Sequence, residues 1–124
     1  MNLDATQLMR CGDELAKYLY LRGSRRVRIS YDFGEERSFC AISAPDYLLD
    51  EAERTRILKV FSGPIQPEIA SYYGALAGRR RDGAEIELLG TMAELEDLMV
   101  TEGGGTQIVL SRREAEYFGK RKKR

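Results

Sequence analysis

The chain has 124 residues, with 20 acidic and 20 basic side chains, two cysteines and no histidine. That length suits one domain with a hydrophobic core of its own, and no apolar run approaches the length of a membrane span. The missing histidine removes the commonest general base and the commonest zinc ligand, and Cys11 and Cys40 match no metal-ligand spacing, so zinc chemistry and cysteine–histidine catalysis are set aside.

Asp4 to Arg22 reads as a helix. Asp4 and Gln7 form a capping box, Gly23 supplies a stop, and Leu8, Cys11, Leu15, Tyr18 and Leu19 recur at steps of three or four. Arg25 to Tyr31 alternates as a strand, with Val27, Ile29 and Tyr31 on one side. Asp32 to Glu36 then turns, and Arg37 to Ile42 returns as the second strand of a hairpin. Cys11 on the helix face and Cys40 in the strand are expected as core thiols. The pattern Ser43-Ala44-Pro45-Asp46 predicts a capped helix through about Phe61, with Leu48, Ala52, Leu58 and Phe61 on its buried side.

Ser62-Gly63-Pro64 breaks that helix, and Pro67-Glu68 opens another. Its inner face carries Ile69, Tyr72, Tyr73 and Leu76, and Arg79-Arg80-Arg81 sits at its end, where cations suit the helix dipole. Asp82-Gly83 turns the chain into a strand from Ala84 to Leu89, with Ile86 and Leu88 inward. Thr91 and Glu94 predict a capping box for a short helix bearing Met92, Leu95, Leu98 and Met99. After Gly103-Gly104-Gly105 the last strand runs from Thr106 to Ser111. This order implies an α+β fold, a two-layer α/β sandwich with a mixed sheet and helices on one face. The domain is expected over residues 1–113.

Residues 114–124 are read as a basic tail, expected to be disordered. From Arg112 to Arg124 there are seven basic and two acidic residues, so the body before them carries a net charge of minus five. An acidic body with a basic end suits self-association or a tail kept for another partner. The first residues show neither a basic region nor an apolar stretch, so no secretory signal is expected and the cytoplasm is the default location.

The order of elements, with Gly103-Gly104-Gly105-Thr106 running into Gln107-Ile108-Val109-Leu110, resembles the histidine-kinase-like ATPase superfamily. The closest type in size is the anti-sigma-factor serine kinase. In that family the first helix runs glutamate, three residues, asparagine, then a glycine and a strand led by basic residues. Glu14, Tyr18, Gly23 and Arg25-Arg26-Val27-Arg28-Ile29 stand in those places. The resemblance implies Glu14 as a general base if the domain is active, and Gly103, Gly104, Gly105 and Thr106 as nucleotide-binding residues.

The chain departs from the family where ATP would be held. Tyr18 replaces the asparagine that coordinates magnesium. Ala44 stands at the aspartate that reads adenine, and Asp46 at the glycine two residues later; a shifted register offers Asp46 or Asp50 instead. Two registers stay open for the phosphate-wrapping glycine box. In Val60 to Pro67 two prolines remove amide donors, and Leu89-Gly90-Thr91-Met92 has a single glycine.

The expected function is therefore a non-catalytic regulatory or signalling domain that works by protein–protein interaction, with another protein or a second copy of itself as partner. No metal and no cofactor are expected, and ATP with magnesium enters only if the degenerate site functions. One alternative is a divergent ATP-binding kinase-type enzyme using Glu14. Another is a small nucleic-acid-associated protein whose Lys120, Arg121, Lys122, Lys123 and Arg124 touch phosphates without reading sequence. The acidic pairs Glu85/Glu87 and Glu94/Asp97 carry no separate chemistry, since nothing in the sequence buries them or sets a neighbour to raise a pKa.

Overall fold

The computed structural model describes residues 3–62 and 86–113. Helix α1 spans Leu3–Leu21 and already includes Asp4, so the helix starts ahead of the expected cap. It ends as Gly23 foretells. Gly23 has φ 120°, its N–H donates to the Tyr20 carbonyl at 3.0 Å, and the Ser24 N–H donates to Leu19 at 3.0 Å. That pair of bonds is a Schellman stop, open to glycine because no side chain is strained there. Leu8, Cys11, Leu15, Tyr18 and Leu19 are buried, each worth about 2 kcal/mol for the larger apolar side chains.

Strands β1 (Arg28–Asp32) and β2 (Arg37–Ala44) form the expected antiparallel hairpin, with β1 starting three residues later than the alternation suggests. Strands β3 (Glu94–Thr101) and β4 (Gly105–Arg113) form a second one. The order in the sheet is β1-β2-β4-β3 and every described pair is antiparallel. The α+β class stands, and the expected mixed sheet is corrected to an antiparallel one among the described residues. Helix α1 lies across β1, β2 and β4. Between them sits one core, with Cys40, Ile42, Ile108 and Leu110 from the sheet side.

Helix α1 comes unusually near the sheet at Gly12. A Cβ there would lie 2.4 Å from the Tyr31 hydroxyl and 2.9 Å from Cys40 Sγ. The Tyr31 hydroxyl uses that closeness to donate to the Met9 carbonyl at 3.2 Å.

Three sequence expectations are overturned. The helix predicted from Ser43 is strand to Ala44, then a turn, and α2 covers only Glu51–Val60. Its cap is Asp50, not the Ser43–Asp46 pattern: the Asp50 side chain accepts from the Glu53 N–H at 2.8 Å, and Glu53 accepts from the Asp50 N–H at 2.9 Å. Ile86 to Leu89, expected as strand, is a turn leading into a 3-10 turn at Leu89–Thr91. The short helix expected after Thr91, carrying Met92, Leu95, Leu98 and Met99, is absent, and Glu94–Thr101 is strand β3. A β-bulge explains the misleading spacing. Leu95 pairs with Leu110 and Leu98 with Ile108, leaving Glu96 as the extra residue, so two core-facing leucines stand three apart as on a helix. The predicted helix from Pro67, with Tyr72, Tyr73 and Arg79 to Arg81, lies outside the described residues, as does the tail with Lys120 to Arg124.

Candidate functional site

Glu14 and Tyr18 both face inward from α1. Glu14 is 7% exposed and its Oε2 lies 3.8 Å from Lys17 Nζ. Tyr18 is 5% exposed, and its hydroxyl donates to Glu53 Oε2 at 3.3 Å. The Arg22 guanidinium sits 5.1 Å from the Tyr18 ring centroid and that of Arg56 5.9 Å, so cations flank the ring. Arg56 is itself ion-paired with Glu87.

Glu53 is the hub. Besides Tyr18 it accepts from the Tyr47 hydroxyl, at 2.9 Å to Oε1 and 2.7 Å to Oε2, and from the Asp50 N–H. Arg22 Nε lies 3.4 Å from its Oε2. One carboxylate therefore binds α1, the loop after β2 and the first turn of α2, where acids also suit the helix dipole. Desolvation, followed by the hydrogen bond to the Glu53 carboxylate, pushes the Tyr47 phenol well above its ordinary pKa.

The loop from β2 to α2 is tied to the start of β4. Thr106 is fully buried; its hydroxyl donates to the Tyr47 carbonyl at 2.7 Å and accepts from the Leu49 N–H at 3.2 Å. Gly105 beside it has φ 74°, and a Cβ there would lie 2.3 Å from the Ala44 oxygen and 2.5 Å from Pro45 Cα. Glycine is needed twice over, for the backbone conformation and for the space. Gly103 and Gly104 belong instead to the exposed turn between β3 and β4, where the Gly104 N–H donates to Thr101 Oγ1 at 3.0 Å.

The structure thus sets Tyr18 on the Glu53 hub, and ties Ala44, Gly105 and Thr106 to the loop whose Tyr47 hydroxyl reaches that hub. It leaves Gly103 and Gly104 at the hairpin tip. Asp46 and Asp50, the residues of the shifted register, have structural partners. Asp46 accepts from the Ser24 hydroxyl at 2.6 Å and the Arg25 N–H at 2.7 Å, and these two bonds hold its carboxyl below the usual pKa range. Of the two glycine-box registers, Gly90 lies against α2, where a Cβ would be 2.0 Å from the Val60 oxygen, and Gly63 to Pro67 fall outside the described residues.

Glu53, Tyr47 and Arg22 were not singled out from the sequence. The signal was present for one of them, because Asp50-Glu51-Ala52-Glu53 is itself a capping box. Among the described residues no group of three or more acidic or cysteine side chains is arranged to hold a metal ion, and no described helix is long and apolar enough to cross a membrane. Comparison with protein-family models, with curated proteins and with solved structures finds no match for this chain.

Proposed function

We propose that this chain is a non-catalytic regulatory domain, built on the frame of the histidine-kinase-like ATPases and acting by protein–protein contact. The observation that carries the reading is the Tyr18–Glu53–Tyr47 cluster, bound together at 3.3, 2.9 and 2.7 Å. By the resemblance, Tyr18 stands where an asparagine would hold magnesium and Ala44 where an aspartate would read adenine. Tyr18 bonds to Glu53 directly, while Ala44 and Thr106 are tied to the backbone of Tyr47, whose hydroxyl reaches the same carboxylate. This supports a reading in which these positions serve the protein's own contacts.

The residues present do not suit magnesium and ATP. The Tyr18 hydroxyl already has an acceptor, and the Glu53 carboxylate is engaged by Tyr47, Asp50 and Arg22 rather than left open to a metal. The Thr106 hydroxyl is likewise occupied on both its donor and acceptor sides by backbone. A domain whose corresponding positions are engaged in its own bonds retains surface for binding other proteins, without the phosphoryl chemistry.

Isothermal titration with ATP and magnesium tests the reading. The expected trace shows no saturable heat at millimolar nucleotide. Micromolar binding that disappears on changing Glu14 or Gly105 would overturn it in favour of a divergent ATP-binding enzyme.

A further inference from the structure

The sheet ends at β1, whose only neighbour among the described residues is β2. Beyond that edge lies a groove of about 440 Å³ between strand and helix, lined by Ala16, Lys17 and Tyr20 of α1 and by Val27 and Ile29. The two aliphatic residues pack on the core yet stay partly exposed, and no further strand flanks them among the described residues. The Arg25 guanidinium lies 4.9 Å from the Tyr20 ring centroid and steadies that wall of the groove. Lys17 and Arg25 line it and are exposed, and the exposed Arg26 and Arg28 leave the same edge toward the other face of the sheet. An apolar floor is thus bordered by basic side chains on both faces of the edge.

We propose that this groove takes an extended, acidic segment of a partner protein, which adds to β1 as a fifth strand. An edge strand turns alternate N–H and C=O groups outward, and these supply sequence-independent hydrogen bonds to an incoming strand. A chain laid about 4.8 Å from β1 would carry every second side chain under the overhanging helix, over Val27 and Ile29. The basic rim selects for acidic residues at the intervening positions.

The obvious competitor is a two-fold pairing of β1 with β1. A register centred on Val27 sets Arg26 against Arg28 of a second copy, and one centred on Ser30 sets Arg28 opposite Asp32. The self-association measurement below separates a second copy from a partner segment. The opposite sheet edge is blunted. In β3 the bulge at Glu96 interrupts pairing, and Glu94 and Glu96 lie 3.1 and 3.5 Å from the Arg37 guanidinium. Among the described residues the open edge is β1.

The proposal rests on the reading of the chain as a protein-binding domain, but it uses a surface apart from the Glu53 hub, so nucleotide titration and peptide titration fail independently. The probe is a fluorescein-labelled peptide of alternating glutamate and valine, followed by anisotropy at low salt and by amide NMR shifts. Saturable binding is expected, with shifts centred on Tyr20 and on Val27 to Ser30. Weakening of about tenfold or more is expected for Lys17→Glu combined with Arg28→Glu, and likewise at about 0.5 M salt. Ala16→Trp, which fills the groove without altering charge, should abolish binding, and circular dichroism confirms that each variant is folded. The idea is overturned by absent binding, by equal affinity for an alternating lysine–valine peptide, or by shifts that map elsewhere. Concentration-dependent self-association that Arg28→Glu abolishes would overturn it too, by making a second copy the occupant.

Discussion

Tyr18 and Glu53, 35 residues apart in the chain, meet through a 3.3 Å hydrogen bond from phenol to carboxylate. That contact joins the C-terminal half of α1 to the first turn of α2. Because Glu53 also receives the Tyr47 hydroxyl and the Asp50 N–H, it stabilises a junction between three segments that share no secondary structure. Removing the carboxylate leaves two buried or half-buried phenols and a helix end without acceptors.

Glu53→Ala is therefore expected to cost about 2–4 kcal/mol, since several partners lose their acceptor together. Tyr18→Phe removes only one hydroxyl and should cost about 1 kcal/mol. The double variant should cost clearly less than the two added, because both changes delete the same bond. Urea unfolding of the four proteins checks this, and strict additivity would break the proposed coupling.

The glycine run divides into two roles that substitution separates. Gly105→Ala places a Cβ 2.3 Å from the Ala44 oxygen at a positive φ, so the end of β2 must shift. A loss of at least about 2 kcal/mol is expected there. Gly103→Ala meets nothing within 4 Å and should change stability by less than about 1 kcal/mol. Equal effects in thermal or urea unfolding would contradict this division.

The two thiols should be inert in the folded protein. Cys11 and Cys40 are free and fully buried, and desolvation raises both pKa values, that of Cys40 to about 12. Iodoacetamide at mildly alkaline pH should label neither until the chain is unfolded, as mass spectrometry will read. The sign for stability follows from the raised values. The native thiols keep their protons after the unfolded chain has lost its own, so stability is full below the ordinary thiol pKa. It falls as pH rises toward about 12 for Cys40.

Asp46 titrates in the opposite sense. Its carboxyl is held low by the Ser24 hydroxyl and then by the Arg25 N–H, so its contribution is present above the ordinary carboxylate pKa and lost as pH falls through the lowered one. A carboxyl NMR titration should place its midpoint below the usual aspartate range. Ser24→Ala should move that midpoint upward, and an unmoved midpoint would deny Ser24 its role.

Local signals carried the parts of this fold whose causes are local. The apolar face of α1, the Gly23 stop and the hairpin of β1 and β2 are set by residues within a few positions of one another. Strand β3 carries a helical signal because its bulge spaces Leu95 and Leu98 by three, which mimics helical periodicity. The start of α2 was misplaced because two capping patterns competed, and the pairing of Ala44 with Thr106 extended β2 through the first of them. The Glu53 hub was not legible at all. Its partners come from positions 18, 22, 47 and 50, and only the folded sheet and helices bring them together.

The central proposal is that the protein's own side chains occupy the positions where, by the resemblance alone, an ATPase would hold its nucleotide. Amide and tyrosine NMR spectra recorded with increasing ATP and magnesium test it most directly. The expected result is that Tyr18, Tyr47, Glu53, Gly105 and Thr106 keep their resonance positions at millimolar nucleotide. Saturable shifts confined to those five residues, at micromolar concentrations, would contradict it.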